Sequence, residues 1–232
     1  MKIRIINPNS TASMTAKIGE CAKSVAAPGT EIVAVNPSDS PPSIEGHSDG
    51  AKAIPGLLAE IAKGEEEGFD GYVIACFDDT GLDACREIAF GPVVGICEAA
   101  MHSASMIATG FSVVTTLSRS VPIIEELAEK YGMHRKCRRV RASELPVLAL
   151  EEEGCEVREQ IRDEILRAIA EDRCEAVLLG CAGMADLTDW LSDETGIPVI
   201  EGVVCAVKMV EALIGAGLAT SKVGGYAAPR EK

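Results

Sequence analysis

Two apolar runs in this chain end on a cysteine, and each opens the same downstream pattern. Cys76 ends Gly-Tyr-Val-Ile-Ala-Cys, and Cys181 ends Ala-Val-Leu-Leu-Gly-Cys. Runs of this kind read as parallel strands covered on both faces. Each is followed by a loop, a helix-length stretch and a second short run, Gly-Pro-Val-Val (91–94) or Ile-Pro-Val-Ile (197–200). Cys76 precedes Pro92 by 16 positions, and Cys181 precedes Pro198 by 17. The likeness extends upstream: Ile6-Asn7 falls on Val114-Thr115 at an offset of 108, against 105 for the two cysteines. A duplicated unit with one thiol per copy implies two thiols facing each other across a cleft. That geometry moves a proton from one face of a carbon to the other.

The rest of the chain alternates in the same way. Strands are expected at Ile3–Ile6, Glu31–Val35, Tyr72–Cys76, Val93–Ile96, Phe111–Val114, Cys137–Val140, Ala176–Cys181 and Val199–Ile200. Helical spacing fills the intervals, including Ala51–Gly68, about Glu98–Ala108, Glu156–Glu171 and about Cys205–Ala216. Such alternation implies parallel sheets with crossover helices. We expect an α/β fold of two similar parallel-sheet domains in pseudo-twofold relation, with the active site in the cleft between them. Residues 1–97 plus 206–232 would form the first domain and 98–205 the second. The Pro- and Gly-rich stretch 36–50 reads as a loop long enough to serve function.

Composition narrows the function classes. The net charge of −14 argues against nucleic acid as a partner. Aromatics make up only 3%, so a pocket of stacked rings is not expected. No apolar stretch approaches the roughly 20 residues of a membrane span, and the first residues are too short an apolar run for a secretory signal. The nine cysteines are odd in number and irregularly spaced. Free thiols in a reducing cytoplasm are expected rather than disulfides. No Cys-x-x-Cys pair occurs, and His47, His102 and His134 do not cluster with cysteines, so no metal site is expected. A homo-oligomer is expected, although no surface signature marks an interface.

In parallel α/β sheets, ligands bind beyond the carboxyl ends of the strands. Asn7–Ser10, Cys76–Gly81, Thr115-Thr116 and Cys181–Met184 all follow strand ends. Cys76 and Cys181 are the candidate catalytic residues. Cys21, Cys85, Cys97, Cys137, Cys155, Cys174 and Cys205 are read as structural. Each candidate thiol precedes an expected helix, whose N-terminus would favour a thiolate. Asp78 and Asp79 would oppose it if they pointed inward, or would cap the following helix. Asn7 and Asn9 fit ligand contacts or turn chemistry equally. Thr115 and Thr116 fit a ligand or a helix cap. The small-residue loop at Cys181 fits a set of oxyanion donors or a tight turn. Arg138-Arg139-Val140-Arg141 reads as a solvated strand edge.

The sequence resembles the aspartate/glutamate/hydantoin racemase superfamily over essentially its whole length, and within it the hydantoin racemases and their allantoin racemase relatives. The resemblance rests on Ile6-Asn7-Pro8-Asn9-Ser10, on Ser43-Ile44-Glu45-Gly46, and on two thiol motifs, Cys76-Phe77-Asp78-Asp79-Thr80-Gly81-Leu82 and Leu179-Gly180-Cys181-Ala182-Gly183-Met184. One departure is Thr80, where similar sequences often carry proline. The resemblance implies racemisation, without a cofactor, of a small molecule with a hydantoin-type ring. One cysteine would take the C5 proton and the other would deliver one to the opposite face. The implied substrate contacts are Asn7, Asn9, Ser10, Ser43, Ile44, Asp79, Thr80, Gly81, Thr115, Thr116, Ala182, Gly183 and Met184. A maleate-type isomerase, a non-catalytic binding protein and a thiol redox protein are the alternatives. A decarboxylase would need only one thiol, and the amino-acid racemases carry different residues after both cysteines.

Overall fold

The computed structural model describes residues 1–151 and 155–230. Its strands are β1 (Lys2–Ile6), β2 (Glu31–Val35), β3 (Gly71–Ile74), β4 (Val93–Gly95), β5 (Phe111–Thr115), β6 (Cys137–Ala142), β7 (Ala176–Leu179) and β8 (Val199–Ile200). They form two parallel four-stranded sheets, ordered β2-β1-β3-β4 and β6-β5-β7-β8. The helices are α1 (Ala12–Val25), α2 (His47–Glu66), α3 (Leu82–Ile88), α4 (Ile96–Ile107), α5 (Val121–Lys130), α6 (Cys155–Asp172), α7 (Thr188–Thr195) and α8 (Gly202–Gly215). The fold is the α/β class expected from the alternation.

The period of two along each strand sorts side chains between three cores. Ile3, Ile5, Val73, Phe111, Val113 and Leu178 point to a central core shared by both sheets with α1, α4 and α8. Ile6, Tyr72 and Ile74 face α2 and α3. Val114, Val177 and Leu179 face α6 and α7. The helix α8 lies against α1, α4, β3 and β4.

The strand order places the site. In each sheet the chain leaves the first strand to one side and returns to its other side, so the order reverses between β1 and β3, and between β5 and β7. Register aligns the ends: Ile6 pairs with Ile74, and Val114 with Leu179. Asn7 and Cys76 therefore emerge at one switch point, Thr115 and Cys181 at the other. Such points are where open α/β sheets bind ligands.

Several boundaries differ from the sequence expectation, and at two helix starts the reason is a hydrogen bond. The helix α2 starts at His47, not Ala51, because the Gly46 carbonyl accepts from the Asp49 and Gly50 amides. The helix α8 starts at Gly202, not near Cys205, because the Glu201 carboxylate accepts from the Val203 and Val204 amides at 2.7 and 2.9 Å. The strands β3 and β7 stop two residues short of their cysteines.

The edge strand β6 carries the largest correction. Arg138 and Arg139 are exposed, as expected for an edge, but Arg141 is buried. Its guanidinium donates to both Asp172 oxygens at 2.6 Å, to Glu164 at 3.0 Å and to Glu171 at 2.6 Å.

Candidate active site

One cavity collects residues from both switch points. Asn7, Pro8 and Asn9 come from the β1 end, Ala75, Cys76, Phe77 and Asp78 from β3, Thr115 and Thr116 from β5, and Gly180, Cys181 and Ala182 from β7. Met14, Ile44, Ser120 and Val147 close it. Its inner volume is about 30 Å³, room for about one water molecule. Its walls come from both sheets and the loops between them. Two of those walls, at Ile44 and Val147, are tied together: the Val147 amide donates to Glu45 Oε1 at 3.0 Å.

Of the residues singled out in the sequence, Asn7, Asn9, Ile44, Cys76, Thr115, Thr116, Cys181 and Ala182 line this cavity. The others do not. Ser10 is held by its amide donating to the Pro41 carbonyl at 3.0 Å, and Ser43 lies one residue outside the lining. Thr80 sits behind the thiol, its hydroxyl 3.5 Å from Cys76 Sγ. Gly81, at φ 69°, is the left-handed residue that starts α3. Met184 belongs to the core beneath the second sheet. The Gly183 backbone is turned to the Cys181 sulfur, and its amide favours the thiolate.

The two aspartates divide the roles left open in the sequence. Asp79, at φ 44°, turns away from the cavity. Its carboxylate accepts from the Cys97 and Glu98 amides at 3.1 and 2.9 Å and from the Tyr131 hydroxyl at 2.6 Å. It therefore caps α4, not the helix that follows it, and it ties the Cys76 loop to α5. Gly95 makes the room: a Cβ there would lie 2.2 Å from Asp79 Oδ1. Burial pushes the Asp79 carboxyl up to about 7 against these donors. Asp78 faces the cavity instead, and burial pushes it up to about 6. The inward charge considered in the sequence is thus Asp78, although Asp78 stood outside the expected substrate contacts. Phe77, Ser120 and Val147 also line the cavity and were missed.

The asparagines build the turn considered for them and also line the cavity. Asn7 Nδ2 donates to Asn9 Oδ1 at 2.9 Å and to Thr15 Oγ1 at 3.0 Å, and the Thr11 amide donates to Asn9 Oδ1 at 2.9 Å. This fixes the turn and leaves Asn9 Nδ2 with only the Met14 sulfur, at 3.4 Å, a weak acceptor. Thr115 Oγ1 donates to the Gly180 carbonyl at 3.1 Å and pins the two strand ends together. A Cβ on Gly180 would lie 2.7 Å from Thr115 Cα, so that close approach requires glycine.

Both thiols are unbridged and half-buried. Neither stands at an α-helix N-terminus: Gly81 separates Cys76 from α3, and Cys181 precedes a 3-10 turn, Ala182–Leu187. Burial therefore dominates their acidity. It pushes Cys76 well above the ordinary thiol range, with the Asp78 charge adding to the rise and the Thr80 hydroxyl and Asp78 amide opposing it. It pushes Cys181 up to about 12, opposed by the Gly183 amide and Lys17, with Asp78 again raising it. Cys85, Cys97 and Cys174 are buried, while Cys21, Cys137 and Cys205 are half-buried away from the cavity. The side chain of Cys155 lies outside the described set. Among the described residues no three His, Cys, Asp or Glu side chains gather as a metal site, and no helix is long and apolar enough to cross a membrane.

Two thiols from related positions therefore line one cavity, one beyond each switch point. Residues 3–210 match the family Asp/Glu/Hydantoin racemase, and the chain belongs to it. It is an isomerase of the racemase type. It is 59% identical to a hydantoin racemase of Rhizobium meliloti, covering 100% of this chain and 96% of that one. It is 48% identical to a hydantoin racemase of Pseudomonas sp. (strain NS671), covering 100% and 93%. The solved structure of an allantoin racemase from Klebsiella pneumoniae superimposes with a TM-score of 0.98 at 52% identity, covering 100% of this chain and 95% of that one.

Proposed function

We propose that this racemase interconverts the D and L forms of 5-monosubstituted hydantoins by two-base proton transfer between Cys76 and Cys181. The observation that carries the reading is the placement of the two thiols, one from each switch point, on one cavity. The similar proteins support the ring: two are hydantoin racemases and one is an allantoin racemase. Allantoin is itself a hydantoin with a ureido group at C5, so the ring is common to both and only the substituent differs. Residues 1–97 with 206–232 supply one thiol, and residues 98–205 supply the other.

The mechanism follows from the site. One cysteine, as thiolate, removes the C5 proton. The electron pair delocalises onto the C4 carbonyl as an enolate. Asn9 Nδ2 and the Thr116 and Ser120 hydroxyls are side-chain donors on the cavity wall for that oxygen, and donors aimed at developing charge lower the barrier. The second cysteine, as thiol, protonates C5 from the other face. The pair carries one proton between them, so the two thiols titrate as a coupled unit. This assignment needs no cofactor.

The test is incubation with one enantiomer of a 5-substituted hydantoin in D2O, following optical rotation and deuterium at C5 together. Rotation should decay as deuterium enters. Rotation that decays without deuterium uptake would rule out exchange-competent thiols. Racemisation of allantoin alone would narrow the substrate to the ureido compound.

The raised thiols also predict a pH profile. Thiolate is the reactive form, and burial keeps it scarce at neutral pH. Each pH unit then multiplies the thiolate fraction tenfold, so log kcat/KM should climb with a slope near +1 between about pH 6.5 and 9. A plateau starting below about pH 8 would mean the working thiol is not raised in the free enzyme.

A further inference from the structure

We propose that Asp78 is the acceptor for the substrate's N1–H and that it selects rings unsubstituted at that nitrogen. The inference rests on the proposed substrate class. Asp78 lines the cavity beside both thiols. Its carboxylate accepts no hydrogen bond among the described residues, whereas the adjacent Asp79 accepts three. Asp78 is half-buried, so its carboxylate faces the cavity with its acceptor capacity open to a ligand. The one opposing charge acting on it is His47, exposed at the first residue of α2.

The ring's chemistry fits what the cavity lacks. A hydantoin presents two carbonyl oxygens and two N–H donors, N1–H and N3–H. Asn9 Nδ2 and the Thr116 hydroxyl suit its carbonyls. Among the described residues Asp78 is the only carboxylate in the lining, so it is the strongest acceptor there for an N–H. Its position picks the nitrogen. Asp78 is near enough to both sulfurs for its charge to raise each of them. The sulfurs flank C5, and N1 is the ring nitrogen bonded to C5. N3 lies across the ring, between the two carbonyls.

The experiment compares kcat/KM for a 5-substituted hydantoin, its 1-methyl derivative and its 3-methyl derivative, in wild type and Asp78→Ala. Wild type should favour the parent over the 1-methyl compound by about 10- to 100-fold, the range for a hydrogen bond to a charged group. The 3-methyl compound should lose less. In Asp78→Ala the preference over the 1-methyl compound should collapse toward unity because the parent loses rate. An unchanged preference, or a collapse produced only by a gain on the 1-methyl compound, overturns the inference and leaves the racemase reading standing. Failure of wild type to racemise any of the three overturns the substrate reading itself. If Asp78→Ala does not fold, Asp78→Asn reads the same ratio. Its amide oxygen is an uncharged and weaker acceptor, so the parent should lose about 3- to 10-fold, and an unchanged ratio again overturns the proposal.

Discussion

Cys76→Ser and Cys181→Ser should each lower racemisation by about 10³-fold or more, while hydrogen exchange continues from one face only. Positioned acid–base groups contribute roughly 10²- to 10⁴-fold each. A serine hydroxyl is a far poorer base than a thiol, and burial in this cavity makes its ionised form harder still to reach. In either variant the surviving thiol still faces C5 from its own side. It can remove the proton of one enantiomer and return deuterium to the same face. Each variant should therefore exchange deuterium into one enantiomer without inverting it, and the two variants should choose opposite enantiomers. Proton NMR in D2O on each enantiomer, with polarimetry alongside, reads both quantities. Normal racemisation by either variant would sink the two-base scheme. Thermal midpoints should stay close to wild type, because both thiols are unbridged and serine differs from cysteine by a single atom.

Arg141→Met should destabilise the fold by about 3–5 kcal/mol, the range for breaking one partner out of a buried ion pair. Without the guanidinium, Asp172 keeps one hydrogen bond, from the Ser112 hydroxyl at 2.9 Å, and a looser ion pair with the exposed Arg139 at 3.9 Å, while its side chain is 3% exposed. Glu164, 11% exposed, keeps Arg167 at 2.8 Å. Arg141→Lys should recover only part of the loss, because an ammonium cannot make the two-pronged contact with Asp172. Urea unfolding of the three proteins measures the differences. The pH dependence identifies the cause. Burial raises the Asp172 carboxyl, but Arg141 and Ser112 outweigh it and hold the group below its ordinary value. A carboxylate lowered in the folded state stabilises above its unfolded pKa, about 3.9, and loses that contribution as pH falls through the folded value. The gap between wild type and Arg141→Met should therefore be widest near neutral pH and should narrow below about pH 4. A gap that stays constant into acid would assign the loss to packing. The consequence reaches the site, because β6 ends against β5: Ser143 donates through its amide to the Thr115 carbonyl at 2.9 Å.

Two neighbouring aspartates show how far a sequence reading reaches. Both stood close to the Cys76 thiol, and either fitted a cap or an inward charge. Asp79 was expected among the substrate contacts, yet it caps α4, and Asp78 takes the cavity. The choice depends on Gly95, Cys97, Glu98 and Tyr131, all at least 16 positions away. Nothing in the local pattern separates the two. Arg141 has the same history: edge-strand composition made it look solvated, and three carboxylates from α6 enclose it. The helix support expected for the thiols fails for a related reason. The helix after Cys76 starts at Leu82, six positions beyond the thiol, and Cys181 is followed by a 3-10 turn, so burial dominates.

What the sequence determined by itself was the repeated alternation of strand and helix, the two parallel sheets it implies, and the place of one thiol at a strand end in each. These follow from hydrophobic period and run length, which are properties of consecutive residues and survive any tertiary arrangement. What only the tertiary structure decided was the partnering of charges: which aspartate faces the cavity, which arginine is caged, and how far burial raises the thiols. A buried charge is satisfied by groups from whichever elements pack against it. Those neighbours are set by the shared central core and the two switch points, not by the residues next to it in the chain.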